Sequence, residues 1–171
     1  SSSLVLDQRG RLHYTCAALP ASAGVEPAGA PLVSTVGPLT NTFLLHSKPG
    51  APKVIYLDFN GHVLTNTAWN LYAIGQPAVI NAPPWDIDGD PSTFNDTERT
   101  TIQQIWQRVS EDYSPFDVDV TTEDPGESAI TRSGLSDFQF GTRVLISPIS
   151  GYFGYYGGIA YIGVFDMTTN Y

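Results

Sequence analysis

Residues 101–122, TIQQIWQRVSEDYSPFDVDVTT, combine a helical pattern with the pattern of a strand that follows it. Apolar side chains recur at i, i+3, i+4, i+7 and i+11, the spacing of one helical face: Ile102, Ile105, Trp106, Val109 and Tyr113. Ser-Pro at 114–115 ends the helix, because a residue that precedes proline disfavours the helical conformation. Residues 118–122 then resume an extended pattern. The stretch predicts a helix that packs one face on a sheet.

Signals upstream complete a strand–helix–strand unit. Asn95 can cap the helix while Glu98, three positions on, reaches back to the backbone N–H of the cap. Residues 53–59, KVIYLDF, are β-branched and aromatic, which predicts a strand covered on both faces, and Asn60-Gly61 supplies a turn. This order of elements implies a parallel crossover of right-handed type.

Two more core strands are predicted, at residues 143–147 and 157–165. A sheet of four or five strands is roughly 15–20 Å wide, whereas one helix with its side chains is only about 10 Å across. One helix therefore cannot cover a face of this sheet. Either loops close the gap, or a second helix comes from residues beyond 171 or from another chain.

Composition limits the classes of function. With 171 residues, 42% of them apolar, the chain can form one domain with a core. We predict an N-terminal arm at 1–42 and a domain at 43–171; the arm holds a possible hairpin in LVLDQRGRLHY and then a linker or strap rich in Ala, Pro and Gly. A net charge of −9 opposes nucleic-acid binding. A single cysteine and few lysines fit a secreted protein, and no apolar run is long enough for a membrane span.

Several uncommon segments occur in a fixed order between residues 43 and 165: VIYLDFNGHV, WDIDGDPSTFNDTE, IWQRVSEDYSPFDVDVTTEDP, GTRVLISP and GGIAYIGVF. Together they resemble the N-terminal part of bacterial secreted metallopeptidases of the metzincin type, related to gametolysin-like and reprolysin-like enzymes. The resemblance implies an α/β (α+β) upper subdomain, in which a twisted, mostly parallel sheet of four to five strands has an antiparallel edge strand and one main helix.

In that family a second helix carries HExxHxxGxxH, whose histidines bind zinc and whose glutamate is the general base. The motif does not occur in these residues, where the histidines are His13, His46 and His62. The resemblance therefore implies a secreted zinc endopeptidase whose zinc ligands lie in a C-terminal catalytic half, the partner of this chain, and a chain that is inactive alone. The alternative is a non-catalytic extracellular binding or structural module that has lost the zinc helix.

The resemblance also implies a substrate-binding strand at Gly158, Ile159, Ala160 and Tyr161. Enzymes of this type pair an extended peptide substrate with the edge strand above the zinc, through main-chain hydrogen bonds. The paired glycines at 157–158 predict a close approach of another backbone. The alternative is an ordinary interior strand with a bulge.

Two candidate metal ligand sets remain. Asp86, Asp88 and Asp90 alternate at i, i+2 and i+4 ahead of Glu98, which is how a loop presents hard oxygen ligands to calcium. Proline replaces the glycine expected at loop position six, so the loop is not an EF-hand, and a solvated acidic turn before a helix is the alternative. Cys16 in the arm could occupy the zinc of a latent enzyme, as some metzincin zymogens do, or be a lone thiol.

Overall fold

The computed structural model describes residues 3–7, 9–18, 36–72, 75–153 and 156–168. Eight strands and three helices follow one another in this order: β1 (Ser3–Leu6), β2 (Leu12–Ala17), β3 (Lys53–Asp58), β4 (His62–Thr65), β5 (Val79–Ala82), α1 (Asp96–Tyr113), β6 (Val118–Thr121), α2 (Glu127–Ile130), β7 (Phe140–Leu145), α3 (Ser150–Phe153) and β8 (Tyr156–Tyr161). Single 3-10 turns lie at Leu39–Asn41 and Trp69–Leu71. In the described part of the chain, no helix has the length and apolarity needed to cross a bilayer.

The central sheet has the strand order β6-β3-β7, and both pairings are parallel. The connection from β3 to β6 runs through β4, β5 and α1, and the two strands pair in parallel as the sequence predicts. The capping box of α1 is formed, since the Asn95 side chain accepts hydrogen bonds from the N–H groups of Thr97 and Glu98, and the Glu98 carboxylate accepts one from the Asn95 N–H. The prediction of a mixed α/β fold with one main helix is confirmed.

The α1 face of the sheet carries the main core. Ile55 and Leu57 of β3 and Val120 of β6 pack against Ile102 and Trp106, and the Trp106 indole donates a 2.8 Å hydrogen bond to the Val120 carbonyl. The apolar stripe of α1 ends one turn earlier than predicted. Tyr113 is 41% exposed and its ring contacts Phe116 just beyond the helix.

Loops cover the part of this face that α1 cannot reach. Side chains from four loop positions pack on the core: Phe43, Leu45, Trp85 and Phe94. Val144 of β7, opposite Leu57 in the register, is still 40% exposed. Loops therefore cover only part of the sheet face that α1 leaves open.

The sheets differ in size and membership from the prediction. The parallel sheet has three strands among the described residues, not four or five, and the third predicted strand begins at Phe140 rather than 143. Strand β8 exists, but it is not an antiparallel edge strand of the parallel sheet. It pairs with β2 of the arm in a separate antiparallel sheet of order β1-β2-β8. The sequence pattern of a strand indicates which residues are extended, and does not indicate which strand becomes its partner.

A β4–β5 hairpin packs on the opposite face of the parallel sheet and forms a second core. Leu64, Ile80 and Ala82 of the hairpin are buried with Phe153, and Leu145 of β7 contacts this cluster. The turn at Gly61 requires glycine, because its φ is +82° and a Cβ atom there would lie 2.7 Å from the Ala82 carbonyl oxygen. Trp69 and Tyr72 also pack on this cluster, and their rings contact Tyr161 and His13 of the β1-β2-β8 sheet.

Candidate functional site

Strand β8, which carries the predicted substrate-binding residues, is paired along its length with an extended segment of the same chain. His13 lies opposite Tyr161, Tyr14 opposite Ala160, Thr15 opposite Ile159 and Cys16 opposite Gly158, in antiparallel register. The Ile162 N–H donates to the Leu12 carbonyl at 3.1 Å. By the alternation of an antiparallel ladder, the backbone groups of Ala160 and Gly158 then face β2, and those of Ile159 point away from it.

The two glycines of β8 have different surroundings. The register between β2 and β8 shifts between Cys16 and Ala17, which leaves Gly157 as the extra residue of a bulge. A Cβ atom at Gly157 would lie 2.8 Å from the Ala17 carbonyl oxygen, closer than real contacts of this kind, whereas a Cβ at Gly158 would meet nothing within 4 Å. The close backbone approach predicted for the glycine pair therefore occurs at Gly157, and the approaching backbone is β2.

A buried acidic side chain ties the arm to β8. The Asp7 carboxylate accepts hydrogen bonds from the N–H groups of Arg9 and Arg11, from the Arg11 guanidinium at 2.7 Å and from the Tyr161 hydroxyl at 3.2 Å. Burial alone would raise the pKa of Asp7, but these hydrogen bonds outweigh it and lower the pKa to about 2. Burial also raises the pKa of the Tyr161 phenol. Tyr161 is thus a neutral donor to an ionised acceptor across the physiological pH range.

His13 occupies an aromatic pocket beside this contact. Its side chain is almost fully buried, its Nε2 is 3.1 Å from the Tyr72 hydroxyl, and its ring lies edge-on to the rings of Tyr72 and Tyr161. Its Nδ1 atom is buried and has no hydrogen-bond partner in the described part of the chain. Sequence reasoning could not connect His13 with Tyr161, because they are 148 positions apart and their contact depends on the β2–β8 register.

Cys16 is an exposed free thiol in β2. It lies opposite Gly158, so the structure brings the predicted latency residue beside the predicted substrate strand. The role of Cys16 as a zinc ligand in a latent enzyme remains a prediction.

The acidic loop before α1 brings together a different set of carboxylates from the set that the sequence predicts. Carboxylate oxygens of Asp86, Asp88 and Glu98 lie within 4.8 Å of one another, and this is the one such group among the described residues. Asp90 is not a member, because its carboxylate accepts hydrogen bonds from Ser92 and Thr93 instead. Glu98, which the sequence indicates as a helix cap, takes the third position.

Internal hydrogen bonds already hold this acidic group together. Glu98 is fully buried and accepts from the N–H groups of Ile87 and Asn95, at 3.0 and 2.9 Å. Asp86 accepts from the N–H groups of Asp88 and Gly89. Hydrogen bonds from the Asp90 N–H and the Asn95 side chain lower the pKa of Asp88. Each carboxylate oxygen has a second lone pair, so the group could still ligate a cation.

His46, to which sequence reasoning assigned no role, bridges two carboxylates. Its Nδ1 lies 2.6 Å from Asp119 and its Nε2 2.9 Å from Glu123. Partial burial lowers the pKa of His46, but the hydrogen bonds to Glu123 and Asp119 outweigh that effect and raise it. Asp119 belongs to β6 and Glu123 follows it closely, so these contacts join residue 46 to this strand.

A cavity of about 410 Å³ runs beside β7, lined by residues of β4, α2 and β7 and by Val164, Phe165 and Met167. Arg143 is its most prominent polar group. It pairs with Asp58 at 2.5 Å and also with Glu127, and these carboxylates raise its pKa despite burial. The charge of Arg143 is therefore balanced within the fold, while Arg132, the second arginine of the lining, donates to the backbone carbonyls of Leu135, Asp137 and Asp166.

Comparison with known proteins gave no matching family model, no matching curated protein and no matching solved structure. The resemblance to metzincin-type enzymes thus rests on the segments of sequence in which it was seen.

Proposed function

We propose that this chain supplies the core sheet and the substrate-binding strand of a secreted zinc metalloendopeptidase, whose zinc ligands lie outside these 171 residues. The ordered segments between residues 43 and 165 support the proposal by resemblance. The observation that carries it is the β2–β8 pairing, since the strand proposed to bind an extended substrate does hold an extended segment in antiparallel register. The backbone groups of β8 that bind β2 would bind an extended substrate in the same way once β2 has left this edge.

The residues described here do not fit a catalytic zinc ion. Such sites take three protein ligands, most often with histidine among them, and leave one position open. The one group of potential ligands in the described chain offers carboxylate oxygens alone, at Asp86, Asp88 and Glu98. The contribution of this chain to hydrolysis is therefore positional. It would fix the direction and register of the peptide backbone, while the metal site of the catalytic half would supply the activated water.

Metal removal tests this proposal on the natural protein that contains the chain. We expect it to hydrolyse an unfolded protein substrate, to lose that activity when zinc is chelated, and to regain it when zinc is restored. A purified protein that contains no zinc and hydrolyses no peptide bond would refute the proposal.

The acidic group favours a second candidate function, an extracellular module that binds calcium. Calcium takes six to eight oxygen ligands at 2.3–2.6 Å in flexible geometry, and carboxylates are the main protein source. Asp86, Asp88 and Glu98 provide three such side chains at one place, beside the positive N-terminal end of α1. The helix end opposes cation binding, so the carboxylates would have to offset its dipole.

A matched pair of variants tests the calcium candidate. Asp88→Asn removes a member of the acidic group, whereas Asp90→Asn changes a neighbouring exposed aspartate outside it. Calcium titration followed by calorimetry should give binding to the unaltered chain and to Asp90→Asn, and binding at least tenfold weaker to Asp88→Asn. Equal affinities for the two variants, or no heat of binding to the unaltered chain, would remove this candidate.

A further inference from the structure

We propose that the edge of β8 covered by β2 is a peptide-binding site that takes an extended antiparallel segment with a ring-bearing side chain at the His13 position and a small side chain two residues later. The arm is its built-in occupant. This inference rests on the proposed function in taking β8 as the substrate strand, and it adds which edge is used and which side chains are recognised.

The backbone geometry favours strand addition at this edge. Ala160 and Gly158 turn their backbone groups toward β2, and the antiparallel pairing extends from His13 to Ala17. The bulge at Gly157 allows the incoming backbone to approach at the Ala17 position, where any larger residue would collide with it. Because main-chain hydrogen bonds are independent of side-chain identity, they determine affinity for an extended chain and leave specificity to the side chains.

The side chains of β2 define that specificity. His13 and Thr15 are buried at 1% and 3% exposure, while Tyr14 is 42% exposed and Cys16 is also exposed. Both buried residues belong to the non-hydrogen-bonded pairs, where side chains of opposite strands are closest. His13 lies against the rings of Tyr72 and Tyr161, so this position accepts a flat ring. The Thr15 position holds a small, buried side chain.

The arm is an imperfect ligand for this site. His13 buries its Nδ1 atom without a hydrogen-bond partner among the described residues, and an unpaired buried polar atom destabilises the pairing of the arm. The arm has the advantage of covalent attachment. Because residues 19–35 join it to the domain, it competes with a free peptide at an effective concentration on the order of millimolar. An external peptide of the same pattern can therefore replace the arm once that connection is cut.

Cutting the connection tests the inference. A recognition site for a sequence-specific protease is placed within residues 19–35, and the cut chain is titrated with a labelled peptide of residues 3–18 that carries Cys16→Ser. The control peptide has the same composition, with His13 and Thr15 exchanged, so that a small side chain stands at the ring position and a ring stands at the small position. Fluorescence anisotropy gives the two dissociation constants.

We expect the peptide of native order to bind the cut chain at least about tenfold more tightly than the exchanged peptide, and at least tenfold more tightly than it binds the uncut chain. Equal binding of the two peptides, or binding of neither, would overturn the inference. If the cut chain unfolds, hydrogen exchange of the uncut chain gives the same test, because only the native-order peptide at millimolar concentration should accelerate exchange at Leu12–Ala17. If the two peptides bind equally but zinc-dependent hydrolysis is intact, the inference about this edge fails and the peptidase proposal is retained.

Discussion

The Tyr161 hydroxyl donates a 3.2 Å hydrogen bond to the Asp7 carboxylate, which joins the last strand of the chain to the turn of the first hairpin. The same carboxylate holds the Arg11 guanidinium and two backbone N–H groups. One buried charge therefore fixes the arm to the strand that we propose as the substrate-binding element, and this attachment can be tested by changing pH.

Acid should loosen the arm through Asp7. Its pKa is lowered from 3.8 to about 2, so its stabilising contribution is present above pH 4 and is lost as pH falls toward 2. Asp7→Asn should be less stable than the unaltered chain at pH 6, and the difference should shrink between pH 4 and 2. Denaturant titrations at several pH values measure it. A difference that stays constant with pH would show that the Asp7 charge is not what holds the arm.

The two glycines of β8 should respond differently to alanine. Gly157→Ala places a Cβ against the Ala17 carbonyl oxygen, and relieving such overpacking typically costs about 1–3 kcal/mol. Hydrogen exchange at Leu12–Ala17 should accelerate on the order of tenfold. Gly158→Ala is the matched control, because its Cβ meets nothing, and exchange should remain near that of the unaltered chain. The same exchange in both variants would contradict the β2–β8 register.

Stability should also depend on His46 at neutral pH. The pKa of His46 is raised above 6.5 by Asp119 and Glu123, so its contribution is complete below pH 6.5 and is lost as pH rises through the raised pKa. The unaltered chain should become less stable over this interval, and His46→Gln should lose that part of the pH dependence. Urea unfolding between pH 5.5 and 8.5 measures both. An unchanged pH profile in the variant would assign the dependence to other groups.

Glu98 should be the most costly acidic residue to remove near α1. Glu98→Ala deletes two hydrogen bonds from backbone N–H groups to a buried carboxylate, and bonds to charged groups contribute about 1.5–3 kcal/mol each. We expect a loss of about 3 kcal/mol in the free energy of unfolding. Glu111→Ala, at the exposed end of the same helix, should change it by less than about 0.5 kcal/mol. Similar losses in the two variants would rule out the capping role.

Local signals predicted the local structure well. The capping box at Asn95 and Glu98, the end of α1 before the Ser-Pro pair, β3 and the first hairpin are all present. Each depends on residues within a few positions of one another, where spacing and turn chemistry act directly.

The sequence did not predict which strands pair when they lie far apart in the chain. The assignment of β8 to the parallel sheet was wrong because a strand pattern carries no information about its partner. The partner here is an arm strand whose residues lie 139 to 148 positions before the residues they pair with. The contacts of His13, Asp7 and Tyr161 were not predicted either, because they depend on the same strand pairing. In the acidic loop, alternation predicted Asp90 as a member, but Ser92 and Thr93 engage its carboxylate and buried Glu98 takes the third position.

The most direct test of the account is the intact mass of the natural protein under denaturing conditions, with zinc quantified on the same sample. The account predicts a longer polypeptide, or a second one that accompanies this 18.5 kDa chain, with about one zinc ion per complex. A single species of 18.5 kDa without zinc would contradict it, and would leave the chain as a non-catalytic module.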